Sequence, residues 1–157
     1  MPGTYEKIAT TTITNGTSTI TFSSIPSTYT DLVLVHIGTA QAGAPGLDLR
    51  LNNDSSSNYS RTFMYGDGSS TASGRNTSAT SYQPSSVYEA QTPIIFQINN
   101  YSNSTTYKTI LSRTSSSTGL VVVNVGLYRS TSAINRIDLL GMTWSGGTVT
   151  LYGIKAA

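Results

Sequence analysis

Seven carboxylates, one histidine and no cysteine make up the acid, base and thiol inventory of this 157-residue chain. Hydrolysis of a glycosidic bond takes two carboxyl groups facing each other across a cleft. Glu6, Asp31, Asp48, Asp54, Asp67, Glu89 and Asp138 are scattered, and no spacing marks any two as converging. A glycan depolymerase carried on a sandwich is the enzyme class to keep in view; it would lose turnover when Asp48, Asp54 or Asp67 is neutralised. A nucleophilic triad needs a base within reach of a serine or threonine and a carboxylate to orient it. His36 lies between Val35 and Ile37 and shares a side with Leu32 and Leu34, the position of a core or interface histidine. One imidazole cannot build a histidine metal site without carboxylate help. The expectation is a protein that is not an enzyme.

Asp54 in NNDSSSN and Asp67 in GDG could offer oxygens to calcium if their loops met. Their spacing fits no EF-hand, and aspartate is favoured in tight turns for its own side-chain hydrogen bonds. Gly66-Asp67-Gly68 and Gly146-Gly147 precede no helix and so lack the N-terminus that makes a phosphate cradle. The Asn58-Tyr59-Ser60 and Asn76-Thr77-Ser78 triplets are expected by chance in a chain so rich in serine and threonine. No metal and no cofactor is expected.

Aromatic residues offer more. There are ten tyrosines and one tryptophan, and Tyr with Ser, Gly and Asn is the palette of adaptable binding surfaces. Tyr59, Phe63, Tyr65, Tyr82 and Tyr88 lie in or beside a small, polar stretch, and with Arg75 they are the candidate interface or ligand contacts. Trp144, ahead of Ser145-Gly146-Gly147, is expected to pack at the edge of the core.

The elements that must position these residues are strands. Charged residues make up 10% of the chain, well below the roughly 25% of an average protein. The net charge of +2 is not gathered into runs, so nothing builds a nucleic-acid face. Polarity comes from serine, threonine and asparagine, which make uncharged surfaces with no buried-ion cost at a partner. Residues 1–9 lack the basic and apolar regions of a secretory leader. The apolar stretches 32–35 and 119–127 are too short to span a bilayer as helices.

Period-two patterning recurs in DLVLVHIGT (31–39), GLDLRLN (46–52), NYSRTFMYG (58–66), PIIFQIN (93–99), TYKTILSRT (106–114), GLVVVNVGLYR (119–129), INRIDLLGMTW (134–144) and the closing TVTLYGIK. In IATTTITNGTSTITF the Asn15-Gly16 pair predicts a type I′ hairpin pairing Thr14 with Thr17. In the closing strand Gly153 breaks the alternation, as a bulge would. That strand is expected to close a sheet beside Tyr5 to Ile13. Residues 67–91 read as one long polar loop, unusual in a compact domain unless it meets a partner. About ten strands separated by turns imply an all-β, single-domain antiparallel β-sandwich over residues 1–157, jelly-roll-like.

The blocks TYEKIATTT, ITFSSIPSTYTDLVLV, NYSRTFMYGDGSSTASGRN and VTLYGIKAA together resemble small structural proteins of tailed bacteriophages, cyanophage-like ones above all. The resemblance implies a virion protein assembled in the bacterial host cytoplasm, most readily a head-decoration or cement protein. Such a protein would bind as a homotrimer between major capsid subunits and stabilise the head. The alternative it implies is a tail-fibre or tail-tip module, attached to tail or baseplate protein and recognising a host surface glycan. No heptad stem precedes the sandwich, which tilts the expectation toward decoration. No nucleic acid or membrane partner is expected. On this reading, deletion of residues 68–86 leaves a folded domain that no longer trimerises or attaches.

Overall fold

The computed structural model describes residues 4–43, 46–84, 92–116 and 119–155. Among them are eleven strands and no helix: β1 (Tyr5–Ile13), β2 (Ile20–Phe22), β3 (Asp31–Ala40), β4 (Asp48–Leu51), β5 (Tyr59–Gly66), β6 (Thr71–Ala79), β7 (Thr92–Asn99), β8 (Lys108–Ser115), β9 (Val121–Tyr128), β10 (Ile137–Leu140) and β11 (Trp144–Ile154). They form two antiparallel sheets. One has eight strands in the order β1-β11-β3-β7-β8-β9-β5-β6, the other three in the order β2-β10-β4. The result is a β-sandwich, as the sequence predicts; the strand order carries the assignment no further toward a jelly roll.

The two terminal strands meet as expected. β1 pairs with β11 from Tyr5 opposite Ile154 to Ile13 opposite Gly147. Two other expectations fail locally. The Asn15-Gly16 turn does form, with the Thr17 amide donating to the Thr14 carbonyl at 3.1 Å. Only Gly16 has positive φ, however, so the turn is not type I′, and β2 joins the small sheet instead of folding back on β1. It is a corner between layers, not a hairpin. Gly153 pairs in register with Glu6 and Leu32 and makes no bulge. A Cβ there would fall inside the Tyr29 ring, so this glycine answers a close approach. The register shifts lie between Lys7 and Ala9, between Trp144 and Gly146 and, in the β5–β6 pair, between Tyr59 and Arg61.

The polar stretch is not all loop. Residues 71–79 form β6, an edge strand paired with β5, and Tyr82 makes a two-way bridge to Leu49 of the small sheet. The aromatic ring of Tyr82 occupies the space over Gly126 and its hydroxyl meets Ser112 at 2.8 Å. Deleting residues 68–86 would therefore remove a strand and a core residue, so it is no clean test of attachment. Residues 85–91 lie outside the described residues.

The core fills the space between the sheets. Leu32, Leu34, Ile94, Phe96, Ile98 and Ile110 of the large sheet meet Ile20, Phe22, Leu49, Leu51, Ile137 and Leu139 of the small one. Each such side chain contributes about 1.5–3 kcal/mol by leaving water. Three strands cannot cover eight. The mismatch leaves part of the inner face open at β5, beyond β4, and the outer face exposes β9 and Met64 although Val33 is buried there.

Candidate functional site

The first open surface is a groove of about 550 Å³ between the β4 edge of the small sheet and the inner face of β5. Alternation along β5 sends Arg61, Phe63 and Tyr65 to this side. β9 contributes Val122, and the small sheet contributes Asp48 at the start of β4. Gly141, with φ +90, runs so close to the Asp48 carboxylate that a Cβ would stand 3.2 Å from it. Phe63 is set by a similar approach across the strand pair, where Gly74 leaves room for its ring.

Two polar groups of the groove are incompletely paired. Glu6 binds Lys155 at 2.8 Å, Asp31 accepts from the Asn100 amide at 2.6 Å, and Asp138 binds Arg136 at 2.8 Å and Thr21 at 2.6 Å. Asp54 accepts from the Ser56 amide, Asn58 and Tyr128. Burial pushes its carboxyl up, but those hydrogen bonds together outweigh it and hold the pKa at about 2. Asp67 accepts from the amides and hydroxyls of Ser70 and Ser69, which hold it well below the usual carboxylate range. Asp54 and Asp67 thus spend their oxygens on their own turns. Among the described residues, Asp48 is the carboxylate left without a hydrogen bond or ion pair.

Across the groove, the Arg61 guanidinium packs on the Phe63 ring, 4.8 Å from its centroid. Its Nη1 donates to the Gln83 carbonyl and, at 3.3 Å, to Asn124 Oδ1, while its buried Nε has no partner. Burial lowers its hold on the proton, and the nearby Tyr82 and Asp48 raise it. Asn124, fully buried on β9, also donates to the Pro84 carbonyl. One interior amide therefore fixes both Arg61 and the chain leaving Tyr82. Asp48 and Arg61 feel each other's charge across the groove and form no ion pair.

The second open surface is the outer face of the large sheet. Register places Val33, Gln97, Leu111, Val125, Thr62 and Arg75 in one row across it, and Val35, Ile95, Arg113, Val123 and Met64 in the next. β9 is the notable strand. Its buried side carries Asn124 and Gly126, while Val121, Val123 and Val125 stand 53%, 37% and 51% exposed beside Met64 at 61%. Arg75, Arg113 and Lys7, which the first row reaches through Tyr152, are the charged members of those two rows, which contain no carboxylate.

The sequence candidates divide accordingly. Phe63 and Tyr65 line the groove, and Arg75 is exposed on the outer face. Tyr59 and Tyr82 are interior, each 1% exposed, and cannot serve as surface contacts. The Tyr59 hydroxyl hydrogen-bonds the Leu51 amide at 3.0 Å and its ring stacks on Tyr128. Tyr88 lies outside the described residues. His36 and Trp144 are both core residues. Arg61 and the outward valines of β9 were not singled out from sequence, and Asp48 entered only as one of the three carboxylates a depolymerase would depend on. An alternating strand does not label which of its faces is buried, and a lone carboxylate in a strand looks like any solvated one.

No family model and no curated protein matches the chain. Among solved structures, a mutant of the alginate lyase Aly36B in complex with alginate tetrasaccharide aligns over 94% of this chain and 80% of its own, at 9% identity and a TM-score of 0.40. An aerolysin-like protein of Bombina maxima aligns over 92% of this chain and 86% of its own, at 12% identity and a TM-score of 0.13. Overlap at this level fixes no activity.

Proposed function

We propose that this chain is a structural virion protein of a tailed phage, a head-decoration protein that works by binding other protein chains and not by catalysis. The observation that carries the reading is the outer face of the large sheet, where Val121, Val123, Val125 and Met64 are exposed in adjoining rows. Contiguous exposed apolar surface of this kind marks association with another chain. The two rows that carry Val123, Val125 and Met64 hold no carboxylate, so a partner can dry this part of the face without stranding a buried carboxylate.

The resemblance to phage structural proteins supplies the setting: a homotrimer seated where major capsid subunits meet, assembled in the bacterial cytoplasm. A trimer bridging several subunits gains by avidity, since each contact raises the effective concentration of the next. Each partner would bury on the order of 800 Å² in a standard interface. The experiment is gold labelling of intact particles with an antibody to this chain, viewed by electron microscopy. Gold over the head is the expected result. Gold confined to the tail would move the protein to the fibre or baseplate, and unlabelled particles would overturn the virion assignment.

A further inference from the structure

The groove between β4 and β5 has a chemistry separate from the outer face. It holds a carboxylate with no partner, Asp48, and a guanidinium with an unpaired buried Nε, Arg61, on opposite walls that do not reach each other. Asp48 is half-buried and keeps its acceptor capacity free for a ligand, and Arg61, anchored through Nη1, has no protein partner for Nη2 among the described residues. The half-buried rings of Phe63 and Tyr65 share the β5 wall with Arg61. We propose that this groove is a saccharide-binding site.

The ligand class follows from the lining. A carboxylate that lacks donors takes hydroxyl protons, and two neighbouring sugar hydroxyls can give both its oxygens a partner at once. Arg61 has no acceptor capacity, so it donates to sugar oxygens from the far side. The C–H face of a pyranose ring is apolar and lies against aromatic rings such as those of Phe63 and Tyr65. A volume of about 550 Å³ suits one or two sugar rings. A free amino acid would satisfy the two charges but leave most of that space and the aromatic wall unused.

The site is also held in place. Arg61 is anchored through Nη1 to the Gln83 carbonyl and to Asn124, so this charge does not need to be ordered by the ligand. Preorganisation of that kind lowers the entropic cost of binding.

The test is calorimetric titration of the full chain with defined oligosaccharides of neutral hexose, N-acetylhexosamine and uronate type, with free amino acids in a parallel arm. The expected result is saturable binding of at least one sugar series. Binding should weaken at least about tenfold in Asp48→Asn, the change that loss of one charged hydrogen bond gives. Phe63→Leu should weaken it too, and the thermal midpoint of Asp48→Asn should not fall below the wild-type value. No heat with any sugar up to about 10 mM, tighter binding of a free amino acid, or undiminished sugar binding by Asp48→Asn would each overturn the assignment. Head or tail labelling of particles bears on the outer face alone, so the two proposals stand or fall separately.

Discussion

The indole Nε1–H of Trp144 donates to Nε2 of His36 at 2.9 Å, with both side chains fully buried. The bond places the imidazole proton on Nδ1 and requires the neutral ring, since a doubly protonated histidine has no acceptor to offer. Gly38 makes the contact sterically feasible, because a Cβ there would lie 2.8 Å from His36 Cε1 and 3.1 Å from Trp144 Cδ1.

That pair predicts an acid-sensitive fold. Burial, the largest cause, lowers the His36 pKa from 6.5 to about 4, against weaker pulls from the backbone of Thr92 and of His36 itself. The unfolded chain therefore binds the proton first. Stability is at its full value above pH 6.5, falls as pH drops toward 4, and is lost by up to about 3 kcal/mol over that window. Urea unfolding at a series of pH values checks this. The slope between pH 6.5 and 4 should shrink in His36→Gln, and an unchanged slope would assign it to other groups.

Tyr82 should prove a keystone of the core and not a surface contact. Tyr82→Ala empties the space over Gly126 and breaks the bond to Ser112, at an expected cost of about 3–5 kcal/mol. Tyr82→Phe keeps the ring and loses about 1 kcal/mol. Denaturant midpoints separate the two. Equal, small losses would mean that the ring does not fill the interior.

Two aspartates should respond to the same change in opposite ways. Asp138 is 3% exposed and holds both Arg136 and Thr21, so Asp138→Asn should destabilise the fold by about 1–3 kcal/mol. Asp48 has no such partner, and Asp48→Asn should be neutral or slightly stabilising. Differential scanning calorimetry of the two variants side by side checks the contrast.

The outer face should tolerate polar substitution without loss of fold. Val125 is half exposed, so Val125→Asp should change stability by no more than about 1 kcal/mol. Incorporation of that variant into particles should fall sharply, read as the amount of chain co-sedimenting with assembled heads. Wild-type incorporation would remove this face from the interface.

The sequence revealed those parts of the fold whose pattern has one solution. Leu47, Leu49 and Leu51 alternate with polar neighbours, and all three are buried. The pairing of the terminal strands was legible because Val149 and Leu151 give the last strand an apolar side that needs a sheet to sit in. β6 was not legible: TASGRNTSA has no large apolar side chain on either face, only Ala72 and Ala79, since an edge strand beside open solvent needs none. The Asn15-Gly16 turn misled because local turn chemistry does not say which sheet the next strand will join. The groove was out of reach for a different reason. Asp48 and Arg61 belong to strands in different sheets, and only the packing of one sheet on the other brings them to the same groove.

Because Tyr5 faces Ile154 at the same end of the β1–β11 pair, a pulling force applied through those two residues acts across the strands instead of along them. Rungs would then open one at a time, like a zipper, toward Ile13, with each step breaking few hydrogen bonds. Tension at these two points would find the sandwich's most yielding direction.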